Sequence, residues 1–201
     1  MKDTISRMTE IWEQLYPGSE TDSLNQFIAS LDQVKKEIPH DPQEEEWYKD
    51  AIVYSLYVDL FNQDFPGLEE KMDYLQQLGV NCLWLLPILD SPGKDAGFDI
   101  SDYRSIRPDL LGLSESAPNN EKAAVFKKFL DKAHKKGIRV IFDIAINHTS
   151  EKHAWFTESR SSIDNPYRDY YIWADDDKGY DGARIIFEGL CNSNWEKDGD
   201  H

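Results

Sequence analysis

The sequence predicts a parallel α/β fold, on the strength of two observations. Residues 51–61, 80–86 and 138–146 are nearly continuous in their apolarity, as expected for strands covered on both faces of a parallel sheet. Helix-patterned segments separate these runs, and such alternation is typical of βαβ units joined by right-handed crossovers. Periodicity leaves open whether the sheet is doubly wound or closed into a barrel. No Gly-x-Gly-x-x-Gly turn follows the first run to favour dinucleotide binding.

Residues 1–47 predict a helical extension in front of this fold. A first helix, with apolar positions three and four residues apart, ends at Pro17-Gly18. A second helix begins after Asp22-Ser23 and stops before Pro39. The acidic run 41–46 is interpreted as a solvated linker. The apolar face of the second helix is predicted to consist of Leu24, Phe27, Ile28, Leu31 and Val34.

Two crossover helices connect the predicted strands. The first follows Pro66-Gly67 and ends at Gly79, a residue suited to a left-handed helix end. Residues 87–103 are predicted as a loop, and the second helix spans residues 121–136. Residues 149–201 are interpreted as a long irregular excursion rich in aromatic residues, which is usually functional or a subdomain of its own. The inward face of the second helix is predicted to be Val125, Phe126, Phe129, Leu130 and Ala133.

The charge and composition of the chain limit the kinds of molecule that it is expected to bind. The 201-residue chain carries a formal net charge of -16, which repels nucleic acid and anionic membrane surfaces but not a neutral sugar or a cation. No apolar stretch approaches the roughly 20 residues that a membrane span needs. The two cysteines form no disulfide framework, and the first residues lack an apolar signal core, so we expect a cytoplasmic protein. Cys82, inside an apolar run, is predicted to be a buried structural thiol.

The first candidate motif lies at the end of the third apolar run. Asp143 stands within that run, and Asn147-His148 follow it. Strand carboxyl ends hold the active sites of parallel barrels and open α/β sheets alike. A carboxylate in a core needs a partner, and we expect an arginine. A capping Asn-His pair beside a satisfied buried aspartate explains the motif equally well.

The second candidate motif is Gly97-Phe98-Asp99-Ile-Ser-Asp-Tyr103, in the loop after the second apolar run. An aromatic ring beside a carboxylate suits sugar recognition, because the ring packs on sugar C–H groups while the carboxylate accepts hydroxyl hydrogen bonds. Asx-turn chemistry alone also accounts for such a loop. Both motifs follow strands of one predicted sheet, so we expect them to converge on the same rim.

These two motifs resemble the α-amylase family of glycoside hydrolases. That family has Asp-x-x-x-Asn-His at the end of its third barrel strand and Gly-Tyr-Asp-x-x-Asp-Tyr before it, so Phe98 stands where the family has tyrosine. The resemblance implies a (β/α)8 TIM barrel, with the first three βα units in residues 48–148 and an inserted subdomain in residues 149–201. Residues 83–87 and 137–143 also resemble the family's second and third strands. Agreement with the trehalose synthase and oligosaccharide-hydrolase branch extends over residues 147–150, 153–156, 169–173, 183–187 and 194–195.

The resemblance also implies roles for individual residues. Asp99 and His148 would hold hydroxyls of the sugar, and Phe98 would replace the stacking tyrosine. Asn147 would ligate a structural calcium ion. Asp143 would orient an arginine of the catalytic centre, while Tyr103 would support the loop. The implied ligand is an α-glucan, maltose, sucrose or a trehalose-type sugar.

The catalytic pair of a retaining glycosidase is expected outside this sequence. The family's nucleophile motif is Gly-x-Arg-x-Asp, and no segment after His148 has this form. We therefore expect the chain to be a fragment that is inactive on its own, and to self-associate through unpaired barrel edges. One alternative is a non-catalytic truncated homologue that binds sugar or a partner chain. Another, a metal-dependent hydrolase, is disfavoured because there is no His-x-His cluster.

Overall fold

The computed structural model describes residues 2–18, 22–38, 46–178, 182, 185, 189 and 193–198. The chain divides into two compact units, Met1–Asp50 and Ala51–His201. In the first unit, helix α1 spans Lys2–Leu15 and helix α2 spans Asp22–Glu37, as predicted. Leu24 is buried, but the rest of the predicted apolar face of α2 is largely exposed. Most of the predicted acidic linker lies outside the described residues. None of the described helices is long and apolar enough to cross a membrane.

The second unit is built on a parallel three-stranded sheet, which confirms the predicted α/β class. Its strands are β1 (Val53–Leu56), β2 (Cys82–Leu85) and β5 (Arg139–Phe142), in the order β1-β2-β5. Helices α3 (Val58–Asn62), α4 (Phe65–Glu70) and α5 (Met72–Gln77) connect β1 to β2. Helix α6 (Asn119–Lys135) precedes β5.

The main core lies between one face of this sheet and the helices. Leu56, Leu83 and Leu85 of the strands are buried there together with Phe65 of α4 and Phe129 of α6. The rings of Phe65 and Phe129 lie 4.8 Å apart, a distance at which aromatic pairs attract beyond their buried area. The inward face predicted for the second crossover helix is confirmed, because Val125, Phe126, Phe129, Leu130 and Ala133 all belong to this core.

The opposite face of the sheet carries apolar side chains that remain accessible. Val53 of β1 is 47% exposed, and Trp84 of β2 and Ile141 of β5, which are paired in register, are each 40% exposed. Cys82 on the same face is fully buried, as predicted, and burial raises the pKa of its thiol. A closed barrel would cover such a face with the side chains of its remaining strands.

The strands are shorter than the apolar runs that predicted them. In residues 51–61 only Val53–Leu56 is strand, and the second half of the run is α3. The third run ends as a strand at Phe142, before Asp143. A continuous apolar run does not distinguish a buried strand from a buried helix, and this is why the boundary was wrong.

The first crossover helix begins earlier than Pro66-Gly67. Asp64 caps α4 by accepting a hydrogen bond from the Gly67 backbone N–H at 2.7 Å, and Pro66 occupies the first turn, where its missing N–H costs nothing. A side chain at position 67 would collide with the chain, because a Cβ there would lie 2.0 Å from the carbonyl oxygen of Asn62. The Pro-Gly pair therefore starts a helix instead of preceding one.

Regular structure also forms inside both segments that were predicted to be irregular. The loop after β2 contains a two-stranded antiparallel ribbon, β3 (Leu89–Asp90) and β4 (Asp102–Ile106). The excursion after β5 contains helix α7 (Ala154–Ser159) and a 3-10 turn at Arg168–Tyr170.

Candidate functional site

The two sequence motifs leave the sheet side by side. Strands β2 and β5 are parallel neighbours, and their last residues, Leu85 and Phe142, are paired in register. The Asp143 backbone N–H extends this pairing by donating to the Leu85 carbonyl at 2.9 Å. Both following loops therefore emerge at the carboxyl edge of the sheet. We call Phe98, Asp99, Tyr103, Asn147 and His148 the candidate site.

A histidine side chain joins the two loops. His148 Nε2 lies 3.1 Å from the carbonyl oxygen of Phe98, and His148 Nδ1 lies 2.7 Å from Asn147 Nδ2. Because a carbonyl oxygen can only accept, the imidazole hydrogen belongs on Nε2. Nδ1 then accepts from the Asn147 amide. The predicted convergence of the motifs is confirmed by this contact.

A tyrosine hydroxyl makes the second link between the loops. Tyr103 Oη lies 2.7 Å from the carbonyl oxygen of Ala145 and 2.8 Å from that of His148. Burial, with a smaller contribution from the charge of Tyr171, raises the pKa of Tyr103, so its hydroxyl keeps the hydrogen that these carbonyls share. Tyr103 thus holds the backbone on both sides of Asn147.

Further contacts complete the connection. The Ser150 backbone N–H donates to the Ile100 carbonyl at 2.9 Å. Lys94 Nζ pairs with Glu151 Oε1 at 2.6 Å, and this hydrogen-bonded pair raises the pKa of Lys94 and lowers that of Glu151. Both partners are well exposed, so solvent screening makes the ion pair a minor contribution to stability. Beneath them, Leu89, Ile100 and Ala145 form a small buried cluster on which Phe98 and Tyr103 pack.

The Asp99 carboxylate is held by its own loop. It accepts hydrogen bonds from Ser91 Oγ at 2.7 Å, from the Lys94 N–H at 3.0 Å and from the Asp95 N–H at 3.2 Å. Partial burial raises the pKa of this carboxyl, but the hydrogen bonds to its ionised form outweigh burial and lower the pKa overall. Asp99 is thus a fixed anion at the rim. The interpretation of Asp99 as a loop-stabilising residue and its predicted role in sugar binding do not exclude each other.

Backbone strain shapes the turn that presents Phe98 and Asp99. Gly97 has φ +92°, and a Cβ at this position would lie 2.9 Å from Pro87 Cβ. Ala96 has φ +50°, an uncommon conformation for a residue with a side chain. Strain of this kind concentrates at functional sites, because the surrounding structure must stabilise it.

Asp143 differs from its prediction. It is half-buried and just beyond the end of β5, and within residues 46–178 no arginine or other side chain pairs with its carboxylate. The expected arginine partner is therefore absent from the described part of the second unit. The strand ends before Asp143, which leaves the carboxylate partly accessible to water.

Asn147 is the predicted calcium ligand. Asn147 is exposed, and its amide nitrogen faces His148, which leaves its carbonyl oxygen as one available ligand. Ca²⁺ takes 6–8 oxygen ligands. Where the structure describes the chain, no group of three or more His, Cys, Asp or Glu side chains could hold a metal ion. Asn147 would therefore supply one of the oxygen ligands that the ion needs.

Several residues that shape the site were not predicted from the sequence. No sequence pattern predicts the contacts of Ser91, Lys94 and Glu151. Lys94 and Glu151, for example, form an ion pair although they are 57 residues apart in sequence. His153 belongs to the similar segment 153–156, but its sequence position does not indicate its contact with Tyr103. Its ring packs edge-on against that of Tyr103 at 5.5 Å.

Comparison with known proteins places this geometry in context. The family model for the α-amylase catalytic domain matches residues 14–200. A trehalose synthase from Pimelobacter sp. is 45% identical over 163 residues, covering 78% of this chain and 27% of that protein. An oligo-1,6-glucosidase from Heyndrickxia coagulans is 44% identical over 137 residues, covering 65% of this chain and 23% of that protein.

Solved structures agree with these matches. A variant of MutB in complex with the substrate sucrose superimposes with a TM-score of 0.56 and 36% identity, covering 72% of this chain and 25% of that one. The chain therefore spans about a quarter of the length of the relatives it matches. The predicted TIM-barrel class and the predicted trehalose synthase and oligosaccharide-hydrolase branch are both confirmed.

Proposed function

We propose, since this chain belongs to the α-amylase catalytic-domain family, that the protein acts on α-glucosides as a retaining glycoside hydrolase or transglycosylase. The observation that carries the proposal is the contact between His148 and the Phe98 carbonyl. This contact brings an ionised carboxylate, an imidazole and an aromatic ring to one rim of a parallel sheet. Those are the groups that recognise sugar hydroxyls and sugar faces.

The proposed ligand is a neutral α-glucoside such as maltose, sucrose, trehalose or an α-glucan. The names of the relatives support this class, since they include a trehalose synthase, an oligo-1,6-glucosidase and a structure with the substrate sucrose. In the proposed complex, Asp99 and His148 hold hydroxyls of one sugar ring, and Phe98 packs against its face. Asp143 acts in support through an arginine, which is not among its described contacts.

Cleavage needs two further groups. A retaining mechanism uses a carboxylate nucleophile and a carboxylic acid about 5 Å apart. The 201-residue sequence has no Gly-x-Arg-x-Asp segment. We therefore propose that residues 1–201 alone bind sugar without hydrolysing it.

An activity assay on the complete reading frame tests the proposal. The protein is incubated with maltose, sucrose, trehalose and starch, and released or transferred glucose is measured. Asp99→Asn is expected to reduce kcat/KM at least about 100-fold, because it removes a charged acceptor at the reacting ring. Asp131→Asn, which changes an exposed carboxylate on the far helix α6, is the matched control and should retain activity. Absence of turnover on all four sugars contradicts the proposal.

A non-catalytic role is the second candidate, and the exposed sheet face favours it. Val53, Trp84 and Ile141 would suit a partner chain or a second copy if no further strands cover them. Reading the codons that follow His201 for a Gly-x-Arg-x-Asp segment distinguishes the two candidates. Sedimentation velocity of the 201-residue chain, compared with Trp84→Glu, tests self-association through this face.

Calcium binding and a cytoplasmic location also stay proposals. The Asn147 amide oxygen would supply one calcium ligand. A thermal unfolding titration with CaCl2 tests this, since an ion that binds the folded state raises Tm in a concentration-dependent way. If Tm rises equally with CaCl2 in the wild-type chain and in Asn147→Ala, Asn147 is not a calcium ligand.

A further inference from the structure

A cluster of three aromatic residues lies on the surface outside the candidate site. Trp155 of α7 stacks near-parallel on Tyr167 at 6.4 Å and meets Tyr170 edge-on at 5.4 Å, while Tyr167 and Tyr170 lie 5.2 Å apart. We call these three residues the aromatic platform. Trp155 is 42% exposed and Tyr170 is 59% exposed, so two of the rings present a large area to solvent.

The polar tips of the aromatic platform have no hydrogen-bond partner among the described residues. Over the part of the chain that the structure describes, Trp155 Nε1 and the hydroxyls of Tyr167 and Tyr170 make no hydrogen bond. Tyrosine and tryptophan combine an apolar body with a polar tip, and the tip takes a partner when it becomes buried. A sugar provides both kinds of surface, since its C–H groups pack on rings and its hydroxyls pair with donors and acceptors.

Local contacts hold the aromatic platform in place. The Trp155 N–H donates to His153 Nδ1 at 3.1 Å, which caps α7, and the Tyr167 N–H donates to Asn165 Oδ1 at 2.9 Å. Arg168, between Tyr167 and Tyr170, lies 3.7 Å from the centre of the Trp173 ring and donates to the Ser159 carbonyl at 3.2 Å. A surface that is ordered before binding loses less conformational entropy when a ligand arrives.

The ring of His153 connects the aromatic platform to the candidate site. The His153 ring lies 4.8 Å from Trp155 on one side and 5.5 Å from Tyr103 on the other. Tyr103 in turn contacts the carbonyl oxygen of His148. A row of packed rings therefore runs from the residues proposed to hold one sugar ring to an exposed aromatic surface.

Charge favours a neutral occupant. Glu158 and Asp169, next to the aromatic platform in sequence, are exposed carboxylates, and the whole chain carries a net charge of -16. Nucleic acids and other polyanions are repelled by that field. A neutral oligosaccharide is not, and carboxylates accept hydrogen bonds from its hydroxyl groups.

We propose that Trp155, Tyr167 and Tyr170 bind a neutral α-linked glucose oligosaccharide, as a sugar-binding surface separate from the candidate site. This inference rests on the proposed function for its ligand class. The aromatic platform binds glucose units other than the one held at Asp99 and His148. Its effect is to favour longer α-glucans over disaccharides.

Affinity electrophoresis of the 201-residue chain tests this inference. Native gels with and without soluble starch are run for the wild-type chain, Trp155→Ala, Tyr170→Ala and Tyr170→Phe. Starch should retard the wild-type chain, and each alanine variant should bind about tenfold more weakly, as expected for loss of one ring contact. Tyr170→Phe keeps the ring and should keep most of the retardation. Ile163→Ala changes another exposed apolar residue of the same segment and should match the wild type.

A second variant separates this inference from the proposed function. Asp99→Asn should weaken maltose binding, measured by calorimetry, while starch retardation of the same variant persists. If Asp99→Asn has no effect on maltose but Tyr170→Ala abolishes retardation, the proposed function fails and the aromatic platform stands. No retardation of the wild-type chain overturns the inference, as does equal retardation of wild type and both alanine variants. A change in sedimentation on Tyr170→Ala without a change in retardation also overturns it, since the surface would then bind a second copy.

Discussion

His148 Nε2 donates a hydrogen bond to the carbonyl oxygen of Phe98 across 3.1 Å, although 50 residues separate the two in sequence. Both ring nitrogens of His148 are engaged, because Nδ1 faces Asn147. A sugar hydroxyl that binds this imidazole must therefore replace one of these two contacts. The Asp99 carboxylate also accepts hydrogen bonds from its own loop, so a sugar hydroxyl that binds it would have to compete with those bonds. The candidate site is thus held in shape by bonds that a ligand would exchange for its own.

Removing the Tyr103 hydroxyl should loosen this arrangement. Tyr103→Phe leaves the Ala145 and His148 carbonyls without their shared donor. We expect the free energy of unfolding to fall by about 1 kcal/mol, the usual net contribution of a hydrogen bond, as measured by urea unfolding. Maltose affinity should fall as well, since Asn147 and His148 lie between the two carbonyls.

Tyr74→Phe is the control for this prediction. Tyr74 is 52% exposed, and among the described residues its hydroxyl has no hydrogen-bond partner. Its substitution should leave both stability and maltose affinity unchanged. Equal stability of the Tyr103 and Tyr74 variants would show that the Tyr103 hydroxyl does not hold the two loops together.

The sequence predicted the sheet and the rim, but not the contacts that define the site. The apolar runs and the motif order were enough to place Asp99 and His148 at neighbouring strand ends, because parallel strands put their carboxyl ends at one edge. Strand lengths were wrong, since apolarity continues from β1 into α3 without a change of pattern. The third strand likewise ends earlier than predicted. Asp143 was expected inside that strand and lies just beyond its last residue, Phe142.

The remaining contacts depend on loop geometry, which has no period in sequence. Ser91 binds Asp99 only because the turn at Ala96-Gly97 brings the two together, with positive φ at both turn residues. A glycine can mark such a turn, but a residue such as Ala96 gives no signal for it. Residues 183–184, 186–187 and 190–192, which include part of a matching segment and Cys191, lie outside the described structure.

Gly97→Ala should destabilise the chain more than Gly93→Ala. Both glycines have positive φ, +92° and +75°, so each alanine adds a conformational cost of about 1–2 kcal/mol. At position 97 the new Cβ would also lie 2.9 Å from Pro87 Cβ, whereas position 93 has no atom within 4 Å. The free energy of unfolding of each variant is measured with urea, and the difference between the two variants gives the cost of the close contact with Pro87. Equal losses would mean that the Gly97 turn shifts at no cost.

Truncating a buried ring of the main core should have the largest effect on stability. Phe129 is fully buried between the sheet and α4, and it packs on Phe65 and Phe126. Phe129→Ala should lower the free energy of unfolding by about 3–5 kcal/mol, which combines lost burial with the cavity left behind. Leu60→Ala, at a side chain that is 82% exposed, should cost well under 1 kcal/mol and is the control. A small loss at Phe129 would indicate that this core is not packed as described.

Acidification should destabilise the chain through His153. Burial lowers the pKa of His153, and the charge of Asp102 only partly offsets this, so the folded state binds fewer protons at His153 than the unfolded state, whose pKa is near 6.5. This contribution to stability is fully present above pH 6.5 and is lost as the pH falls below it. Protonation also removes the Nδ1 lone pair that accepts the Trp155 N–H and caps α7. Urea unfolding between pH 7 and about pH 5 measures the effect before most carboxylates titrate.

His153→Asn is the matched variant for this pH dependence. Asparagine is a favoured helix N-cap and can accept the same Trp155 N–H, but it does not titrate in this range. The variant should therefore remain folded and show a smaller loss of stability between pH 7 and about pH 5 than the wild type. His134→Asn, at an exposed position near the end of α6, should behave like the wild type, because it leaves His153 and its contact with the Trp155 N–H unchanged. If the His153 and His134 variants follow the same pH profile, the acid sensitivity of the chain arises elsewhere.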